Sequence, residues 1–362
     1  MRTLRKLAAV PTSIIVAILP LGVDNIRDEQ WHLRFLNIDQ AHELTKGEGV
    51  TVAVVDTGVD AHPDLAGSVL PGAVLDPAGS GDGNTDLSGH GTAMAGLIAG
   101  HGRGSKGVLG IAPAAQILPV VDTVSGRSTN PDLTADAINA AIDRGATVVN
   151  ISASGGPTER LQRAIERARR EDVVVVAAAG NAPSPIIGFP ANYPGVVAVG
   201  ASDRSGSVAG ISTRGPGLVL VAPGVDIMTT RLNSGYGVGT GTSDSTAIVS
   251  GAVALIRSRF PSLEAAEVIR RLTATATDKG PPGRDDVYGY GVLNVVAALS
   301  TDVPPASAAP TSPPPITAEA IPPSDGGLWV GVVALVGVAV VIGLVALHLR
   351  ARRHRVGRGP VA

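Results

Sequence analysis

The chain has 362 residues with 29 Lys+Arg against 31 Asp+Glu, a formal net charge of -2, and no cysteine, which excludes a disulfide scaffold, a thiolate zinc site and a cysteine nucleophile. Any nucleophile is therefore oxygen or nitrogen, and with 17% charged and 2% aromatic residues there is neither a basic field nor a set of stacking platforms, so no nucleic acid partner is expected. A hydrophobic content of 44% with 46 glycines fits a buried α/β core, and the length allows one large domain or two ordinary ones.

Arg2, Arg5 and Lys6 precede an apolar stretch from Leu7 to Val23, so residues 1–23 read as a signal peptide and export is expected. No Ala-x-Ala stands near Gly22, which leaves an uncleaved anchor open.

Short β-branched runs follow at Val50 to Val55, Ile117 to Val121, Val148 to Ile151, Val173 to Ala179 and Val196 to Val199. They are apolar on both faces, as central strands of a parallel sheet are. Helical spacing falls between them, at Thr92 to Ala99, Leu133 to Arg144 and Glu159 to Arg170. A longer pair covers Thr246 to Phe260 and Leu263 to Thr273, broken at Pro261, with Ser262 expected to cap the second. This alternation predicts a three-layer α/β domain over residues 40–300 with a mainly parallel sheet, and ligands at the carboxyl ends of its strands.

Residues 301–327 carry PPASAAP, SPPP and IPPS, an extended Pro-rich linker that cannot bury a core. Leu328 to Leu349 is apolar except for His348, and about 20 such residues rising 1.5 Å each cross a bilayer core, so one C-terminal transmembrane helix is expected over 328–349. Trp329 suits the interface, and the arginines of the basic tail, 350–362, predict a cytoplasmic C-terminus with the bulk of the chain extracytoplasmic.

Four positions hold candidate chemistry. Asp56 ends the first strand run, where a carboxylate orients a base or caps a turn. His90 sits between Gly89 and Gly91 ahead of a helix, a base or a structural imidazole. Asn181 ends another strand run, an oxyanion donor or a turn residue. Ser243 precedes a long apolar helix, a nucleophile or an N-cap. Acyl transfer needs an alcohol, an imidazole, a carboxylate to orient it and donors for the oxyanion, and each type is present.

The blocks VAVVDTGV around Asp56, HGTAMAGLIAG from His90, AAAGN ending in Asn181 and GTS ending in Ser243 resemble the signature blocks of the subtilisin-like serine proteases, with HPDL, GIAP and VAPG in support. The resemblance implies a subtilisin-like fold over 40–300, Asp56, His90 and Ser243 as a triad, and Asn181 with the Ser243 N–H as oxyanion hole. It also implies a substrate-binding edge at Ser152, Ala153, Ser154 and Gly155, pairing with an extended peptide, and an opposite wall at Val124 to Gly126. No cofactor or metal is implied. A narrower likeness, through IRDEQWHL, GEGVTVAVVDTGVD, GDGNTDLSGHGTAMAGLIAG and the stalk, anchor and tail, is to the mycosins, membrane-anchored subtilases of type VII secretion. Residues 24–39 are then an N-terminal extension, and a secretion complex at the cell membrane is the implied partner beside a protein or peptide substrate.

Departures stand against that pattern. GTS continues into Asp244, Ser245, Thr246 and Ala247, without the usual proline and with a carboxylate beside the nucleophile, which disfavours an alkoxide unless it points away. Ser154 replaces a glycine, which narrows the pocket for the residue before the scissile bond. Rival motifs fail: Gly102 to Gly107 satisfies G-x-G-x-x-G but follows a helix, and Asp82, Asn84 and Asp86 start a calcium-loop pattern that Leu87 and Ala93 break. The expected function is a membrane-anchored serine endopeptidase, and the competing one a catalytically dispensable structural component of a secretion complex.

Overall fold

The computed structural model describes residues 26–126, 130–181 and 186–304. The signal peptide, the linker beyond residue 304, the span at 328–349 and the basic tail lie outside the described residues. Among the described residues no helix is long and apolar enough to cross a membrane.

Among the described residues three short helices come first, α1 (Ile26–Glu29), α2 (Trp31–Phe35) and α3 (Ile38–His42). Strands β1 (Thr51–Asp56) and β2 (Ala73–Val74) precede α4 (His90–Ala99) and the hairpin β3 (His101–Arg103) with β4 (Lys106–Leu109). Then come β5 (Gln116–Val121), α5 (Pro131–Asp143), β6 (Val148–Ile151), α6 (Glu159–Arg170), β7 (Val174–Ala178), β8 (Val197–Ser202) and β9 (Leu220–Pro223). A second hairpin, β10 (Ile227–Arg231) with β11 (Gly235–Gly239), leads into α7 (Thr242–Arg259), α8 (Ala265–Thr275) and α9 (Val295–Ser300).

The main sheet has seven strands in the order β2-β5-β1-β6-β7-β8-β9, with every pairing parallel. Side chains alternate across it. Val52, Val54, Val148 and Val176 face a core built with α4, α7, α8 and α9, while Ala53, Val55, Val149 and Val175 face a second core built with α5 and α6. Both faces are thus covered, which is why these strands read as unbroken apolar runs.

Helix α6 illustrates the local logic. Thr158 accepts a hydrogen bond from the Leu161 N–H at 3.1 Å, capping the first turn, and Leu161, Ala164, Ile165 and Ala168 form the buried stripe. Burying Leu161 or Ile165 stabilises by about 1.5–3 kcal/mol each. Helix α7 is different, since every residue from Asp244 to Arg257 is buried. It is the central helix of the molecule, and its uniform burial explains why its sequence shows no clear face. Helix α8 starts later than expected: its N-cap is Glu264, without a side-chain bond, and Ser262 lies ahead of it.

Candidate active site

Strands β5 and β6 leave β1 on opposite sides, so the carboxyl end of β1 is the point where the connections of the sheet change direction. In open parallel sheets such a switch point is where ligands bind. Asp56 is the last residue of β1, and His90 the first of α4. The His90 Nδ1 lies 2.8 Å from Asp56 Oδ1 and 2.9 Å from Oδ2. Only 4% of the Asp56 side chain is exposed against 37% for His90, so the carboxylate holds the inner nitrogen while the ring's outer edge meets the cleft. The approach needs a glycine at 91: a Cβ there would fall 2.1 Å from the Gly58 carbonyl oxygen.

Asp86 fixes where α4 begins. Its Oδ1 accepts from the Thr57 hydroxyl at 2.8 Å, Ser88 N at 2.9 Å and Gly89 N at 2.7 Å, and its Oδ2 from Thr92 N at 2.9 Å and the Thr92 hydroxyl at 2.7 Å. The Thr57 hydroxyl in turn accepts from Gly91 N at 3.0 Å. The carboxylate at the third position of the calcium-like pattern, Asp86, is therefore saturated by protein donors. Because Asp86 is 4% exposed, Asp86→Ala leaves these donors buried without a partner. A loss of roughly 3 kcal/mol in unfolding free energy is expected, read by denaturant titration.

Ser243 is the second residue of α7, whose N-cap is Gly241, so the serine is not itself the cap. Its hydroxyl donates to the Ser152 carbonyl at 3.0 Å, and the Ser152 hydroxyl donates back to the Ser243 carbonyl at 3.0 Å. No hydrogen bond joins Ser243 to His90 in this resting arrangement. Asn181 stands just past β7 with its Oδ1 accepting from Thr242 N at 2.7 Å and from the Thr242 hydroxyl at 2.9 Å. Two donors on one atom identify that atom as the oxygen. The Asn181 amide nitrogen has no partner among the described residues, and it sits beside the head of α7, where the Ser243 N–H, the second of the helix, likewise has none.

The segment after β6 forms one wall. Gly155 exchanges both backbone hydrogen bonds with Phe189, at 2.8 and 3.0 Å, so its main chain is occupied. Among the described residues the N–H and C=O groups of Ala153 and Ser154 remain open to an extended peptide. A Cβ on Gly188 would fall 2.1 Å from Ser154 Oγ, so the serine fills the floor that glycines leave. On the other side, a Cβ on Gly126 would meet Ser88 Oγ at 2.8 Å and Thr57 Cγ2 at 3.3 Å, which places this wall against the loop ahead of His90.

The N-terminal helices dock elsewhere. The Gln30 side chain donates to the Leu109 carbonyl at 2.9 Å and accepts from its N–H at 2.8 Å, as a neighbouring strand would. The Trp31 indole donates to the carbonyls of Val225 and Asp226 at 3.2 and 3.0 Å. None of these bonds involves the cleft residues.

Electrostatics shape the pair. Enclosure pulls the His90 pKa down, but the Asp56 charge, its hydrogen bond and the charges of Asp244 and Asp86 outweigh it and raise it to about 9. Asp244 is 5% exposed, and burial raises its pKa to about 6 against the opposing charges of Arg231 and His90. A Cβ on Gly239 would fall 2.5 Å from Asp244 Oδ1, so the carboxylate is set under β11. The charge that the sequence puts beside Ser243 thus supports the imidazolium.

Two bonded groups result: Asp56 with His90 at the end of β1, and Ser152 with Ser243, beside Asn181 on Thr242, at the head of α7. Thr242 as the anchor of Asn181 and Asp86 as the anchor of α4 lie inside motifs the sequence offers, but nothing in those motifs assigns them these roles. Among the described residues no group of three or more His, Asp and Glu side chains is arranged to hold a metal.

Residues 47–291 match the model of the Subtilase family. Subtilisin Savinase of Lederbergia lenta is 37% identical over 282 residues, covering 77% of this chain and 98% of that protein. Mycosin-1 of Mycobacterium tuberculosis is 33% identical over 420 aligned positions, covering 97% of this chain and 90% of that protein. Among solved structures, the MycP3 protease from the type VII (ESX-3) secretion system superposes with a TM-score of 0.70 at 31% identity, over 81% of this chain and 94% of that one.

Proposed function

The chain belongs to the Subtilase family and is a serine endopeptidase related to the mycosins, and from that premise we propose that Asp56, His90 and Ser243 are its catalytic triad, with Asn181 and the Ser243 N–H as the oxyanion hole. The observation that carries this reading is the seating of His90 Nδ1 on both oxygens of a carboxylate that is 4% exposed. That contact leaves Nε2 as the nitrogen for proton transfer. Nε2 takes the Ser243 proton as Oγ bonds to the scissile carbonyl carbon, and the oxyanion receives the free Asn181 N–H and the helix N–H. The imidazolium then protonates the departing amine, leaving an acyl-enzyme. Water repeats the sequence and releases the acid.

The Ser243 hydroxyl donates to the Ser152 carbonyl, and in this reading it transfers its proton only after His90 has lost its own, because an imidazolium has no lone pair at Nε2 to accept it. With a His90 pKa of about 9, kcat/KM is expected to rise with pH along a single acid limb whose midpoint lies near 9. Stability moves the other way. The folded-state pKa is raised above the unfolded value of 6.5, so the contribution of His90 is full below 6.5 and is lost as pH climbs through about 9. A kcat/KM profile against a peptide ester, paired with melting temperatures across pH 6–10, reads both limbs. A limb centred near 6.5 would refute the charge assignment.

Reaction of the folded chain with a fluorophosphonate tests the nucleophile. Label is expected on Ser243, and a folded, unlabelled chain overturns the triad. The apolar run 328–349, followed by arginines and preceded by a Pro-rich stretch, supports a membrane-anchored enzyme with its peptidase domain extracytoplasmic. The likeness to MycP3 supports a type VII secretion machine as its setting and a protein or peptide substrate.

A further inference from the structure

Strand β6 has a polar residue where its register calls for an apolar one. Val148 and Asn150 both point to the α7 side of the sheet, Val149 and Ile151 to the other. Asn150 is fully buried, as is Ser250 on α7. An amide and a hydroxyl in that layer are unfavourable unless fully paired. They are paired in one direction. The Ser250 hydroxyl donates to Asn150 Oδ1 at 2.9 Å, Asn150 Nδ2 donates to Ser152 Oγ at 3.1 Å, and the Ser152 hydroxyl donates to the Ser243 carbonyl at 3.0 Å. Ser250 spends its proton across the interface. Thr246, one turn earlier, returns its own to the Thr242 carbonyl within the helix at 2.7 Å.

We infer that Asn150 and Ser250 are positioning residues for the nucleophile, acting through Ser152 to bolt the first turn of α7 to the strand edge along which substrate lies. The inference rests on the reading of Ser243 as nucleophile. Its logic is the polarity of the chain. Ser152 has one proton, and it reaches the Ser243 carbonyl only while Asn150 presents N–H rather than oxygen to it. Held in this way, Ser152 grips Ser243 twice, its hydroxyl on the carbonyl and its own carbonyl on the Ser243 hydroxyl. An apolar pair at 150 and 250 would fill the layer as well, since buried polar groups are weak stabilisers against shape-matched apolar ones. The payoff of the polar pair is therefore the placement of Oγ, where errors of about 1 Å cost on the order of 100-fold in rate.

Asn150→Asp is the sharpest test. It keeps shape and the Ser250 bond but turns the second atom into an acceptor, so the Ser152 proton is drawn away from Ser243. Ser250→Ala removes only the first link, and Asn150→Ala cuts the chain without adding a charge. In the full chain, active sites are first counted by fluorophosphonate titration, and kcat and KM are then measured per titrated site. The expected result is a fall in kcat on the order of 10- to 100-fold for Asn150→Asp, a smaller one for Asn150→Ala and a several-fold one for Ser250→Ala, with KM unchanged. If Asn150→Asp does not fold, the other two variants decide. Unchanged kcat per titrated site in these variants, or a rise in KM that matches the fall in kcat, overturns the positioning role. Absence of label in the unaltered folded chain overturns instead the nucleophile reading beneath it.

Discussion

Ser243→Ala is expected to lower kcat by about 10⁶-fold, the scale lost when the nucleophile of a serine triad is removed, with the chain still folded. The hydroxyl makes one hydrogen bond, to the Ser152 carbonyl, and it does so at the cleft, where water can replace it. The stability change is therefore below about 1 kcal/mol. The two Asn181–Thr242 bonds do not involve Ser243 Oγ, so the proposed oxyanion donor is expected to stay in place and residual turnover above the uncatalysed rate to remain. Turnover of a peptide ester, with a melting curve on the same preparation, checks both halves. A loss of only ten-fold would remove Ser243 from the chemistry. The same variant separates the two roles open to a protein in a secretion complex: secretion that continues on Ser243→Ala, yet fails when the protein is absent, assigns it a scaffolding part.

Asp56→Asn is expected to lower kcat/KM by about 10⁴-fold without displacing the ring. The reason lies in the donors around the carboxylate. Thr57 N already donates to Asp56 Oδ1 at 2.8 Å, which keeps an oxygen at that position in the amide. The new NH₂ group then faces His90 Nδ1 in place of the outer oxygen, which favours the tautomer whose Nδ1 accepts over the one whose Nδ1 donates. The imidazole proton moves to Nε2, and the nitrogen that should take the Ser243 proton no longer can. Loss of the carboxylate charge also removes the largest force raising the His90 pKa from 6.5 to about 9, so the acid limb of the residual activity moves to lower pH. Residual activity with a limb still near 9 would show that Asp56 is not what sets it.

Much of this architecture was legible because its causes are local. The strands at Val148 to Ile151 and the helix at Glu159 to Arg170 appear at the boundaries their residues imply: one is a short β-branched run, the other has a cap, a buried stripe and closing arginines. Elements whose reasons are distant were not legible. The hairpins β3–β4 and β10–β11 have little apolar alternation, and the second is tied to the rest of the fold by bonds such as that from the Tyr236 hydroxyl to Asp64 at 2.8 Å. Helices α1 to α3 are too short to announce themselves by periodicity, and Arg27, Trp31 and His42 on them bond to carbonyls about 70 to 195 positions away. Ser262 has the chemistry of a cap, but α8 begins after Glu264, where the Ala265 N–H is taken by the side chain of Asp172.

The sequence by itself determined the inventory: a carboxylate and an amide each at the end of a strand run, and an imidazole and an alcohol each at the start of a helical run. It also set the exclusion of thiol chemistry and the apolar run at 328–349. Tertiary structure alone decided how those groups are charged and aimed. Only the packed fold puts Asp244 under β11 as support for the imidazolium, turns the Asn181 amide outward by tying its oxygen to Thr242, and parks the Ser243 hydroxyl on Ser152. The physical reason is range. Backbone periodicity and capping act over a few residues, whereas proton affinity and hydrogen-bond direction are set by whatever the fold brings within a few ångströms, from segments that are strangers in the chain.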